Sequence, residues 1–345
     1  MSIKMNLLVG VAFWALGVVA AESGAFRGFD GQLRGVSLLT RDSVVIIETV
    51  KKDNTPGITG DPSWGEVGTG FLIDSEDGII LTSAQTLQDA WKIRILFSDG
   101  VSREGVVVGT DVPTDIGVVK LLHPRPTIPA LVIASASDSR VGEPILSMGA
   151  DPAGEMSYSM GIISAKPLYG DAAEGDLSTF LQYDASLNGG MQGGPLLSLR
   201  GDVVGMATFA AMARSEMFLN FAVPASLLRQ VSDGIVERGY YLHLVWGINP
   251  VEPSEAIRMS LGREEGGVYL PGVSQGDSAD ETGLKGGDFI LAVDDNTSNS
   301  TDEFWRQVAG WTLQTDEELL AHELTIWRDG QKETISFVPV RRVVE

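Results

Sequence analysis

The sequence predicts a mainly β protein, a large all-β barrel or sandwich unit followed by a smaller α+β unit. Three observations carry this. Short apolar runs recur from Val44 to Val223, separated by Asp-Gly and other turn residues. The hydrophobic period then becomes helical between Pro224 and Arg238. Beyond Tyr240 strand and helix signals are mixed. The 345 residues suit two domains at roughly 100–200 residues each.

Taken in order, residues 1–21 read as a signal peptide: Lys4, an apolar run from Met5 to Ala20, then the small residues Val19-Ala20-Ala21 before Glu22. Residues 22–40, with scattered apolar side chains and glycines, read as a poorly ordered lead-in in which Phe26 or Phe29 docks. Strands are expected at Val44–Val50, Thr69–Asp74 and Ile79–Ser83, the last two joined across the turn Ser75-Glu76-Asp77-Gly78. Ile93–Phe97, Gly105–Val108 and Ile116–Leu122 continue the series, with Ser98-Asp99-Gly100 as a second Asp-Gly turn. Further strands are expected at Pro144–Met148, Met160–Ser164, Phe180–Tyr183, Pro195–Leu199, Val203–Phe209 and Leu219–Val223. Leu228, Val231 and Ile235 share one helical face, and Gly239 ends the helix and the first domain, 41–239. The second domain, 240–341, has strand signals at Gly267–Leu270 and Phe289–Val293 and a hairpin around Asp329-Gly330. Helical stretches are expected near Asp277–Thr282 and Thr301–Val308.

Composition excludes several classes. A net charge of −21 repels nucleic acid and anionic lipid. The acidic residues form no block, so they read as a solvated surface. No cysteine is present, which removes disulfides, thiolate metal sites, thiol nucleophiles and a lipid-modified cysteine. No metal constellation is visible, and Asp294, Asp295 and Asn296 lack calcium-loop spacing. No cofactor is expected. The leader directs the chain to a periplasmic or secreted location; left uncleaved, it would anchor the chain to a membrane.

One segment carries chemistry: Asn188-Gly189-Gly190-Met191-Gln192-Gly193-Gly194-Pro195-Leu196. A glycine-dense loop before a strand lets backbone N–H groups converge on one point, as an oxyanion requires. This loop, Thr114-Asp115-Ile116-Gly117-Val118-Val119-Lys120, and Gly68-Thr69-Gly70-Phe71 followed by Leu81-Thr82-Ser83-Ala84-Gln85 occur in an order that resembles the HtrA/Do (DegP-like) family. Gly161-Ile162-Ile163-Ser164-Ala165, Asp184 to Asn188 and Asn220-Phe221-Ala222-Val223-Pro224 extend the resemblance, which covers about residues 41 to 340. It implies a trypsin-like double β-barrel followed by a small α+β PDZ domain.

The resemblance aligns the family's histidine with Gln85, its aspartate with Asp115 and its serine with Gln192, and the oxyanion hole with Gly190 and Gln192. An amide is neither a base near neutral pH nor a nucleophile, whereas this acyl transfer needs a nucleophile activated by a base. The only histidines are His123, beyond the strand that follows Asp115, and His243 and His322, both in the second domain. Ser83 and Ser186 have no evident base partner. The expectation is therefore a protein that is not an enzyme, with the Gln192 side chain filling the hole or the adjacent cleft.

In the second domain, Gly267 to Leu270, Gly276 to Ala279 and Gly283 to Val293 resemble a PDZ core, with Val245-Trp246-Gly247-Ile248 as the loop that takes a peptide carboxylate. Expected partners are unfolded polypeptides or protein C-termini, in a homotrimer or a mixed oligomer with an active relative. Two alternatives compete with this binding role: a peptidase of unusual chemistry, and a structural subunit of mixed oligomers.

Overall fold

The computed structural model describes residues 28–51, 66–135, 140–151, 154–169, 179–209, 220–260, 266–308 and 320–343. The leader lies outside them.

Residues 28–40 form helix α1, not a poorly ordered lead-in. Phe26 lies outside the described residues and Phe29 is half-buried; the anchoring residue is Val36, which joins the core of the large unit. At its end the Thr40 hydroxyl donates to the Val36 carbonyl at 2.8 Å and meets Met148 Sδ at 3.3 Å.

Six strands close a first barrel: β1 (Val44–Lys51), β2 (Glu66–Asp74), β3 (Ile79–Ser83), β4 (Ala90–Leu96), β5 (Ser102–Asp111) and β6 (Ile116–Leu121), in the order β1-β2-β3-β6-β5-β4. Strand β3 is buried at every residue, so it reads as a continuous apolar run rather than an alternating one. A single helical turn, α2 (Ala84–Leu87), follows β3. A second barrel closes from β7 (Pro144–Ala150), β8 (Met156–Tyr169), β9 (Thr179–Tyr183), β10 (Pro195–Ser198), β11 (Val203–Thr208) and β12 (Asn220–Pro224), in the order β10-β11-β12-β9-β8-β7. Closure leaves neither sheet an edge. Helix α3 (Ala225–Arg238) buries Leu228, Val231 and Ile235 and ends on Gly239 at φ 87°. It returns to the first barrel: a Cβ on Gly109 of β5 would lie 2.1 Å from the Gly239 carbonyl, so only glycine fits there.

The second unit has a separate core. Strands β14 (Val268–Tyr269), β15 (Phe289–Val293), β17 (His322–Arg328) and β18 (Gln331–Phe337) form one sheet, with β16 (Asn296–Thr297) beside β15. Strand β13 (His243–Val245) pairs with β19 (Val340–Arg342). Helices α4 (Glu255–Ser260), α5 (Ser278–Glu281) and α6 (Thr301–Val308) complete it. The whole is a mainly β protein, a trypsin-like double barrel followed by a PDZ-like α+β unit.

Candidate functional site

The two barrels meet where β3 ends and the glycine-rich loop begins. Ser83 closes β3 and caps α2, its hydroxyl accepting the Gln85 N–H at 3.1 Å. Asp115 sits at the tip of the turn between β5 and β6 with φ 57°. Aspartate tolerates this left-handed conformation better than most residues. The turn is fixed from behind, because Asp111 accepts from the Thr114 N–H at 3.2 Å and from the Thr114 hydroxyl.

From the second barrel, residues Gly189–Met191 make a single 3-10 turn that delivers Gln192 to the junction. Gly193 follows at φ 80°, and a Cβ there would lie 2.4 Å from the Thr69 carbonyl and 2.6 Å from the Ser83 nitrogen. Contact with the first barrel thus explains Gly193, whereas a Cβ on Gly190 or Gly194 would meet the backbone of β7, at the Ala150 and Met148 carbonyls. The loop is tied down by the Thr69 N–H donating to the Gln192 carbonyl at 2.9 Å and the Thr69 hydroxyl donating to the Gly190 carbonyl at 2.6 Å.

Gln85, Asp115 and Gln192 converge at this junction. The Gln192 side-chain amide donates to Gln85 Oε1 at 2.7 Å and Ser83 Oγ at 2.7 Å, with the Asp115 carboxylate 3.4 Å away. Asp115 accepts from the Ser83 hydroxyl at 2.5 Å, the Gln85 N–H at 3.1 Å and the Thr208 hydroxyl at 2.6 Å. Asp115 is 4% exposed and Gln192 7%. A buried carboxylate is tolerable when donors surround it, and the Ser83 hydroxyl, the Gln85 N–H and the Thr208 hydroxyl supply that shell. The Gln192 side chain therefore spans the junction to the first barrel.

Two members of this cluster depart from the sequence expectation. Ser83 has a partner after all, the Asp115 carboxylate. Thr208, at the end of β11, was not anticipated; nothing in its local sequence sets it apart, because only barrel closure brings it to Asp115. The histidines stay apart from the cluster. His123 is exposed beyond β6, and His322 pairs with Asp294 at 2.6 Å. His243 reaches the neighbourhood indirectly: its Nε2 lies 2.6 Å from Asp111, the residue that braces the Asp115 turn.

In the second unit Trp246 is a core residue. Its indole is 0% exposed and stacks on Phe337 with ring centroids 5.4 Å apart. Ile248 is also buried, and Val245 pairs with Val340. Gly247 has φ 72°, and a Cβ there would lie 2.5 Å from the Asp277 Cβ. The loop leans on α5, its Trp246 carbonyl accepting the Ala279 N–H at 3.2 Å. Trp305 packs against the same core. Among the described residues no group of His, Asp and Glu side chains could hold a metal ion.

Comparison with known proteins agrees with this architecture. The trypsin-like peptidase domain family matches residues 68–206. A probable periplasmic serine endoprotease, DegP-like, of Brucella suis biovar 1 (strain 1330) is 30% identical over 83% of this chain and 56% of its own length. The periplasmic pH-dependent serine endoprotease DegQ of Escherichia coli (strain K12) is 29% identical over 74% of this chain and 56% of its own. This chain spans about half the length of these curated relatives. Among solved structures, the HtrA-type protease AlgW with decapeptide superposes with a TM-score of 0.72 at 23% identity, covering 90% of this chain and 98% of that one. The serine endoprotease from Yersinia pestis superposes with a TM-score of 0.65 at 23% identity, over 89% and 97%.

These relatives correct one expectation. Two amides at positions 85 and 192 suggested a protein that is not an enzyme, yet the relatives are named serine endoproteases and kinship points to a protease family. Two side chains do not by themselves decide a reaction class. With the double barrel, the matched peptidase domain and these relatives together, the chain belongs to the HtrA/DegP family of trypsin-fold serine proteases.

Proposed function

We propose that this chain takes hold of unfolded polypeptide segments at the junction of its two barrels, in an exported compartment, as part of protein quality control. The observation that carries the reading is the retained junction: the glycine-rich loop, the left-handed Asp115 turn and an open hollow beside Gln85. The relatives' names, which include periplasmic endoproteases, support the compartment and the class of partner. The PDZ-like unit offers a second contact for protein C-termini through the Val245–Ile248 loop, with its backbone rather than the buried Trp246 indole as the binding element.

A second reading, peptide hydrolysis by a route of its own, is favoured by the hydrogen bond that holds the Ser83 hydroxyl on Asp115. Self-association as a homotrimer, or in a mixed oligomer with a relative, is supported by the apolar side chains that α1 and β8 leave exposed, Leu38, Leu39, Tyr158 and Met160.

The test is incubation of the purified chain with a fluorescent, permanently unfolded protein and with C-terminal peptides, following anisotropy and newly formed amino termini together. Saturable anisotropy supports polypeptide binding. New termini that disappear in Ser83→Ala carry the hydrolytic reading. No binding to any unfolded chain or peptide would overturn the proposal, and light scattering that finds only monomer would remove the trimer.

A further inference from the structure

A hollow of about 480 Å³ opens on the first-barrel side of the junction. One wall is apolar, made by Leu87 of α2 with Val107 and Val112. Both valines are unusually exposed, Val107 at 40% and Val112 at 66%. The lining also includes Gln85, Gln88 and Asp89, all exposed, and the buried Asp115. Among the described residues no Lys, Arg or His lines it.

The two carboxylates differ in what they can still do. Asp115 is already committed to the donors of Ser83, Gln85 and Thr208. Asp89 is exposed and has no hydrogen bond or ion pair among the described residues. The hollow therefore presents an apolar wall, two amide oxygens and one uncommitted negative charge. That combination suits a side chain with a long aliphatic stem and a cationic head, because such residues lay their stems on apolar surface and keep the charge at the polar end. The surrounding charge of −21 adds a long-range attraction for cations.

We propose that this hollow is a subsite for a lysine or arginine side chain of the bound polypeptide, with the stem against Val107 and Val112 and the cationic head on Asp89. It rests on the polypeptide-binding reading above and gives that reading a sequence preference. The attraction belongs to a partly exposed pair, so it is moderate and weakens with salt.

The experiment uses the full chain and a set of fluorescent ten-residue apolar peptides, each with one arginine at a different position, beside the same peptides with leucine there. At low salt one register should bind about fivefold more tightly with arginine than with leucine. Asp89→Asn, which keeps a residue that accepts the left-handed backbone at φ 57°, should abolish that difference while the leucine peptide binds as before. Gln88→Lys, on the exposed rim, should reverse it and favour a glutamate peptide. Equal affinity for arginine and leucine peptides at every register would overturn the subsite and leave polypeptide binding standing. Failure of all peptides and of the unfolded protein would overturn both. An arginine preference that survives in Asp89→Asn would place the cation elsewhere and refute the assignment to this hollow.

Discussion

Asp115 should be worth far more to the stability of the double barrel than an ordinary aspartate. Its carboxylate accepts two short hydroxyl bonds, from Ser83 at 2.5 Å and Thr208 at 2.6 Å, and a backbone bond from Gln85 at 3.1 Å. The Gln192 contact at 3.4 Å is too long to count for much. Hydrogen bonds to a charged acceptor contribute about 1.5–3 kcal/mol each, and buried donors stripped of their acceptor cost about 1–3 kcal/mol. The two hydroxyl bonds alone set a lower bound of about 3 kcal/mol for Asp115→Ala. Alanine at φ 57° adds a left-handed penalty of about 1–2 kcal/mol. For a unit of roughly 200 residues, 3 kcal/mol corresponds to about 6–12 °C in Tm. Asp115→Asn keeps one acceptor oxygen and tolerates the backbone, so it should lose about 1–2 kcal/mol. Differential scanning calorimetry on the two variants and on Thr208→Val measures this. An alanine variant within about 2 °C of the natural chain, or as mild as the asparagine one, would refute the donor-shell argument. So would strict additivity of Asp115→Asn and Thr208→Val, because residues sharing a hydrogen bond should couple by about 0.5–3 kcal/mol.

Three other perturbations test neighbouring parts. Gly193→Ala puts a Cβ 2.4 Å from the Thr69 carbonyl and 2.6 Å from the Ser83 nitrogen, both backbone atoms. It should push the glycine-rich loop off the first barrel and cost more than about 2 kcal/mol in urea unfolding; a neutral result would mean the loop is not pressed there. Asp111→Ala strands the buried His243 ring and the Thr114 donors, so it should lose about 3 kcal/mol and loosen the second unit from the first barrel. Limited proteolysis near Gly239 reads the loosening, and an unchanged cleavage rate would sink it. Asp99 is held down to about 2 from 3.8 by its hydrogen bond with Arg125 and then by the Val101 N–H. A lowered carboxylate stabilises the fold above its unfolded value and loses that contribution as pH falls. The Tm difference between the natural chain and Asp99→Asn should be full at neutral pH, shrink below 3.8 and vanish near about 2. The pair is exposed, so high salt should diminish the difference; a difference independent of pH would contradict the assignment.

The fold was legible where burial is complete on both faces of a strand or where a turn has one chemistry. Ile79–Ser83 and Ile116–Leu121 announced themselves by short, mostly apolar runs, broken only by Thr82, Ser83 and the exposed Lys120, and Asp77-Gly78 supplied the turn, with Gly78 at φ 69°. Two of the short elements were missed because their stability is tertiary. Helix α2 is four residues long and exists because Ser83 caps it, and β13 is three residues long and exists because β19 pairs with it. The helix at 28–40 was misread because Val36 is its one fully buried apolar residue, too few to give a helical stripe. At the site, the glycine-rich loop and Asp115 could be read because backbone demands leave a residue signature. Thr208 could not, since it lies 93 residues from its partner and shares no local pattern with it. His243 was set aside as a residue of the second domain, although barrel packing brings it 2.6 Å from Asp111.

The Asp115 turn is therefore held from three directions that the sequence keeps far apart. Asp111 and Thr114 brace it from within β5 and its exit, and His243 extends that brace into the second unit. Ser83 and the Gln85 N–H hold the carboxylate from the first barrel, and Thr208 holds it from the second. Among the described residues no cation belongs to the cluster, so hydroxyl and amide dipoles keep the charge in place. Such an arrangement is exacting, because each donor that moves away leaves the carboxylate less solvated in a site water barely reaches. The hydrogen bonds of His243 to Asp111 and of Thr114 to Asp111 thus form a continuous contact between β13 and the Asp115 turn. The hollow beside Gln85 is lined in part by that turn, through Val112 and Asp115. The five-residue segment Asp111 to Asp115 therefore touches both the hollow, through Val112 and Asp115, and the second unit, through the Asp111 bond to His243.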